Sequence, residues 1–376
     1  MMKRRPLLAA SALATLLCAE AAAAENVVAS IKPVHSLVAA VMEGAGTPEL
    51  LVKGAGSPHT YAMRPSEAGM LEDAQVVFWV GPGLEIFLDD ALDSLAADAR
   101  VVALAEAPGV TLLDQREGGP FEAHSHDDHD GHDRHQDEHA HAEGEEHHAH
   151  EDEHGDHAGH DHHDDGHAHA GEEEHHAAHG DHDEDHAHED EHGGHAGHDH
   201  AHGGFDLHLW LDPENAREMT RQIAATLAQA DPDNAAIYER NADALDARFD
   251  ALIAETNEKL ADVRHKPFVV FHDAYQYFEQ RFDIPAAGSI TVSPDALPGA
   301  RRLGEIRDKI TELGAACVFS EPQFEPKLVN VVTEGTNAHS GVLDPLGAEI
   351  EDGPELYFTL VGNMADSLSG CLSDGA

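Results

Sequence analysis

From Glu122 to His202 the chain alternates imidazole and carboxylate. The stretch holds 28 histidines, 28 acidic residues, a single base (Arg134) and no apolar side chain larger than alanine. Such a composition cannot bury a core, so it is expected to stay unfolded unless metal orders it. Whatever folds must be built from the residues on either side. The chain has 376 residues and a net charge of −51, of which −27 lies in this insert. The remainder is moderately acidic, has ordinary apolar content and is long enough for two cores. A chain this anionic is repelled by phosphates, which excludes nucleic acid as a partner.

The first residues have the pattern of an export leader. Lys3, Arg4 and Arg5 precede a short apolar run, Leu7 to Leu17, and Ala22-Ala23-Ala24 offers a cleavage site. The run is too short to span a bilayer. Cys18 lacks the small residue upstream that a lipid-attachment site needs, so simple cleavage near Glu25 and a periplasmic location are expected. Two cysteines then remain, Cys317 and Cys371. In an oxidising compartment this pair is expected to form a disulfide that clamps the C-terminal segment to a core strand.

Strands and helices alternate before the insert. "VVASI" (27–31), "ELLV", "AQVVFWVG" (74–81) and "VVALA" (101–105) are apolar strand candidates. "KPVHSLVAAVMEG" and "RPSEAGMLEDA" supply helices between them. Near-continuous apolar runs belong to strands covered on both faces, and the alternation predicts a parallel α/β sheet. After the insert, Asp212 and Pro213 mark a helix start. A second helix is expected from about Asp233 to Val263; some thirty residues would span about 45 Å. The alternation then resumes with "PFVVFHD", "AYQYFEQRF", "AAGSI", "GARRLGEIRDKITELG" and "ACVFSEPQF". The expected layout is a leader at 1–24, an α/β lobe at 25–232 containing the insert at 122–204, a linking helix at 233–263, and a second α/β lobe at 264–376.

Six histidines lie outside the insert: His35, His59, His208, His265, His272 and His339. An ordered fold can fix their geometry, whereas the insert must be ordered first. His272 ends the strand "FVVFH", where parallel sheets place ligands. His59 follows a glycine-rich loop and stands beside Pro58, and His208 stands in "FDLHLWLDP". Two of these precede the long helix and one follows it, so a site using all three would lie between lobes. Zinc suits three imidazoles with a fourth position for water or a carboxylate. Taken singly, each could equally be a hydrogen-bonded structural residue, and His35, His265 and His339 are read that way.

Together, "KPVHSLVAAVMEG", "SPHTYAMRPSE", "DLHLWLDPENA", "FHDAYQYFE", "FSEPQF" and "LDPLG" resemble the zinc-specific periplasmic solute-binding proteins of ABC importers. The resemblance covers the mature chain outside the insert, and a histidine- and acid-rich loop at this point is typical of the zinc members. It implies two α/β lobes with parallel sheets, bridged by one long rigid helix, with a metal cleft between them. It implies metal ligation by His59, His208 and His272, with Asp344 or water as the fourth ligand. It also implies pairing of Cys317 with Cys371, and a function in carrying Zn2+ to an ABC permease in the inner membrane. A periplasmic protein that hands zinc over is a further candidate partner, and the chain is expected to act as a monomer. Some zinc members carry a glutamate just before the first histidine; here Pro58 stands there. Manganese relatives place carboxylates among the ligands, so three histidines favour zinc.

The insert is read as an accessory metal loop. Its candidate ligands include His124, His126, His129, His132, His147, His148, His162, His163, His175, His176, His198, His200 and His202. A flexible chain must be ordered to coordinate, so these sites should be weaker than a preformed cleft. Collector, buffer and hand-off roles all fit. Two other functions stay open on the residues alone: a periplasmic zinc store, and a zinc hydrolase using three histidines and water. Against the hydrolase, H-E-x-x-H occurs only within the insert, at 150–154 and 188–192, where no helix is expected.

Overall fold

The computed structural model describes residues 26–116, 204–291, 298–324 and 327–374. The leader at 1–24 and the insert histidines from His124 to His202 lie outside the described residues. The first part of the chain gives β1 (Val27–Ala29), α1 (Lys32–Val41), β2 (Glu49–Leu50), α2 (Pro65–Glu72), β3 (Val76–Trp79), α3 (Asp89–Leu95) and β4 (Arg100–Ala103). Their strands form one parallel sheet in the order β2-β1-β3-β4. Residues 76–79 are all buried, as a strand covered on both faces requires. Pro33 starts α1, and beyond its end Gly44 takes φ +84°, a conformation that L side chains rarely adopt.

A two-stranded antiparallel hairpin follows, β5 (Leu113–Asp114) with β6 (Phe205–Asp206). Its strands flank the insert in sequence, and no alternation of side chains announced it. The next helices are α4 (Pro213–Ala230) and α5 (Ala235–Leu260). Asp212 caps α4, its carboxylate accepting from Glu214 N at 2.9 Å. At 26 residues, α5 is a few residues shorter than expected. It spans about 39 Å.

The second sheet is built from β7 (Phe268–His272), α6 (Gln276–Phe282), β8 (Gly288–Thr291), α7 (Ala300–Leu313), β9 (Cys317–Ser320), α8 (Lys327–Thr333) and β10 (His339–Val342), followed by α9 (Leu356–Asp374). Its order is β10-β9-β7-β8, again parallel throughout. The molecule therefore has two parallel α/β lobes, one on each side of α5 in sequence. Cys317 and Cys371 are bonded, tying α9 to the start of β9.

The lobes share a single apolar core. It runs from Val27 and Phe78 of the first sheet through Trp210, Met219 and Phe249 to Phe268, Phe319 and Tyr357. Smaller clusters cover the far face of each sheet. The last helix, α9, packs on α5 and also returns to α1. There Tyr357 N donates to Ser36 Oγ (2.9 Å) and Tyr357 Oη to Trp210 O (2.8 Å). Buried Lys32 donates to Ala348 O and Ile350 O at 3.2 and 2.7 Å. Trp210 Nε1 donates to Pro345 O at 2.8 Å. Lobes joined through a large apolar interface resist free hinge motion.

Candidate metal centre

In open parallel sheets, ligands gather outside the carboxyl ends of strands, at the point where strand order reverses. In the second lobe that point lies between β7 and β9. His272 is the last residue of β7, and Glu321 follows β9 directly. The two meet there: His272 Nδ1 lies 2.6 Å from Glu321 Oε1. In the first lobe the corresponding point, between β1 and β3, is filled by protein. Glu85, fully buried, accepts from Ser30 Oγ and from the backbone N–H groups of Val80 and Gly81 (both 3.1 Å). Burial pushes the Glu85 carboxyl up to about 7, in spite of the hydrogen bonds it accepts.

The other two histidines come from irregular backbone. His59 stands on the loop between β2 and α2. One end of that loop is held by Glu67, which accepts from Tyr61 Oη (2.8 Å) and Arg64 N (2.7 Å). His208 follows β6 and precedes a tight 3-10 turn at Leu209–Leu211. Asp206 orients it, accepting from His208 N at 3.0 Å and lying 2.7 Å from His208 Nδ1. Gly83 lets this segment pack closely, since a Cβ there would meet Leu207 Cδ1 at 2.5 Å.

The structure brings His59, His208 and His272 together. Their ligand atoms all lie within 4.8 Å of one another, with Nε2–Nε2 distances of 3.2 Å (His59 to His208) and 3.3 Å (His272 to His208). A carboxylate only accepts, so Asp206 and Glu321 place the hydrogens of the neutral His208 and His272 rings on Nδ1 and leave their lone pairs on Nε2. Lone pairs this close repel unless a cation lies between them. Tetrahedral zinc with Zn–N of 2.0–2.1 Å sets its nitrogens about 3.3 Å apart, which matches both contacts. The cavity is about 10 Å³ and is walled by Pro58, Trp210, Phe324 and Leu346, among others. That is room for roughly one water-sized body.

The rings differ electrostatically. Burial lowers the pKa of His59 well below its ordinary value, and the two neighbouring imidazoles lower it further. Burial also pulls on His272, but the charge and hydrogen bond of Glu321 more than offset it, so its pKa is raised.

Asp344 stands outside this group. Its oxygens accept from the backbone N–H of Leu346, Gly347 and Ala348 and from Gln323 Nε2 at 2.9 Å. It shapes the loop that walls the cavity. Nor do His35, His265 and His339 reach the group. His35 is buried within α1, its Nε2 3.2 Å from Pro48 O. Asp206 and Glu321 were not singled out from the sequence; the signal for Asp206 is its place two residues before His208, and for Glu321 its place just after a strand end.

A family model described as "Zinc-uptake complex component A periplasmic" matches residues 27–371. The chain is 54% identical over 349 residues to the high-affinity zinc uptake system protein ZnuA of Brucella suis biovar 1 (strain 1330), covering 93% of this chain and 92% of that one. Among solved structures it is similar in fold to a crystal structure of ZnuA, with a TM-score of 0.61 and 20% identity over 91% of this chain and 98% of the other. It is also similar to the periplasmic zinc-binding protein TroA of Treponema pallidum, with a TM-score of 0.63 and 16% identity over 92% and 98%. With the family model spanning both lobes, this chain belongs to the family of periplasmic component A proteins of zinc-uptake complexes.

Proposed function

We propose that this chain is a periplasmic receptor that captures Zn2+ between His59, His208 and His272 and delivers it to an ABC permease. The observation that carries the reading is the pair of Nε2–Nε2 distances, 3.2 and 3.3 Å, with the Nδ1 atoms of His208 and His272 engaged by buried carboxylates. Hydrated zinc sheds water to the three imidazoles, and the small cavity has room for the ion. A nanomolar dissociation constant corresponds to about 12 kcal/mol, within reach of three preoriented imidazoles. Asp206 and Glu321 stand behind the rings rather than facing the Nε2 atoms, which favours holding an ion over activating a substrate. The shared core between the lobes supports a receptor that releases its cargo when the permease pulls the cleft apart. The insert, with 28 of the 34 histidines, acts as an auxiliary collector or buffer.

The test is deletion of Glu122 to His202. One tightly bound zinc ion should persist per chain, and His272→Ala in the full chain should abolish tight binding while the insert still takes several ions. Loss of tight binding on deletion would make the insert the primary site and overturn the reading.

A further inference from the structure

The β5–β6 hairpin, whose strands flank the insert in sequence, is held by polar contacts from α6 of the second lobe. Tyr277 Oη donates to Asp206 O (2.6 Å) and accepts from Leu113 N (3.0 Å), bridging both strands. Arg116, just beyond β5, donates to both oxygens of Glu279 (2.7 and 3.1 Å) and, through Nε, to Asp273 Oδ2 (3.2 Å). Its Nη2 also contacts Asp273 Oδ1. The two carboxylate side chains are each 5% exposed. The hairpin has only two residues per strand, and Phe205 on it is 47% exposed. Leu113 and the adjoining Leu207 pack against the common core, and the polar contacts complete the seat.

These contacts end on the metal centre from both sides. Asp206, whose carbonyl Tyr277 holds, orients the His208 ring, and Asp273 is the chain neighbour of His272. We propose that Arg116, together with Tyr277, is a latch that holds His208 and His272 in register across the lobe boundary and so sets how long the ion stays bound. This rests on the zinc reading of the three-histidine site. Arg116 is a positioning residue: it acts through the hairpin and Asp206 on one side and through Asp273 on the other. Without its guanidinium, Asp273 and Glu279 become buried like charges facing an unanchored hairpin, and buried unpaired charges drive local opening.

Trp210 reports on the site, its ring centroid lying 5.4 Å from that of His208. Trp79 is the other tryptophan in the chain, so a full-length Trp79→Phe background isolates the signal. The zinc-loaded protein is mixed with excess chelator and release is followed by Trp210 emission. Arg116→Lys, which loses the fork, and Tyr277→Phe, which loses the bridging hydroxyl, should each release zinc on the order of tenfold faster. Arg281→Ala is the control: Arg281 ties α6 to Asp212 at 2.6 and 2.7 Å without touching the hairpin, and its loss should leave the release rate unchanged. Parental rates in both latch variants, or equal acceleration by Arg281→Ala, would overturn the latch. An insert-deleted background chain that holds no zinc by metal analysis would overturn the three-histidine reading itself, and the latch with it.

Discussion

Glu321 Oε1 lies 2.6 Å from His272 Nδ1, and both side chains are buried where strand order reverses in the second lobe. The contact orients the ring, fixes which nitrogen carries the hydrogen, and raises the ring's basicity at Nε2. Glu321→Gln keeps the size and an acceptor oxygen but removes the charge. Zinc affinity of the cleft should fall by roughly 10- to 100-fold, read by chelator competition on the insert-deleted chain. An unchanged affinity would mean that Glu321 only packs.

The pH dependence of binding should be graded by histidine. Zinc takes neutral rings, so a bound proton must leave first. His272 has its pKa raised by Glu321 in spite of burial, and His59 has its pKa lowered well below 6.5 by burial and its neighbours. As pH falls, His272 therefore protonates before His59. Affinity should begin to weaken above pH 6.5, with the His59 proton contributing only at much lower pH. Zinc titrations of the insert-deleted chain between about pH 8 and pH 5.5 would show this, and Glu321→Gln should move the onset to lower pH. An onset that does not move in that variant would separate Glu321 from the titration.

Glu85 should make the metal-free protein less stable as pH rises. A raised carboxyl pKa means the folded chain binds the proton more tightly than the unfolded one. Its contribution is full below the unfolded value and is lost as pH climbs through the folded value. Between 4.5 and about 7 the folded state therefore loses about 3 kcal/mol from this one group. Across that window the stability of the parent, from denaturation curves, should fall by about this amount relative to Glu85→Gln. Parallel curves would show that the carboxyl ionises as readily folded as unfolded.

Reducing the Cys317–Cys371 bond should destabilise the fold without touching the metal centre. The bond closes a loop of 54 residues, for which the chain-entropy model gives about 4 kcal/mol, with 2–4 commonly measured. Cys317 opens β9 and Glu321 lies just beyond its other end, about 13 Å away along the strand. Urea denaturation with and without reductant should show the loss, while cleft affinity for zinc stays within about twofold. A large drop in affinity would mean that α9 holds the site as well as the fold.

Much of the architecture was legible in local pattern. The apolar runs at 74–81 and 267–273 became buried β3 and β7, and Asp212-Pro213 began α4 as capping chemistry requires. Elements with weak periodicity were not legible: the β5–β6 hairpin has two residues per strand, and α3 and α8 have seven residues each. The shared core was also out of reach. Nothing in the pattern of the C-terminal segment says that Tyr357 bonds to Ser36, 321 residues away in sequence.

The sequence by itself determined which residues could bind metal and which stretch offered no apolar side chain for a core. Six histidines stood outside a stretch with no apolar side chain to bury, and composition decides burial before any contact forms. Only the tertiary structure decided which of the six converge, that Asp206 and Glu321 rather than Asp344 stand against their rings, and that Arg116 joins the two sides. Periodicity carries information along one element, whereas a metal site is a set of distances between elements. Those distances exist only once both sheets have packed on their common core.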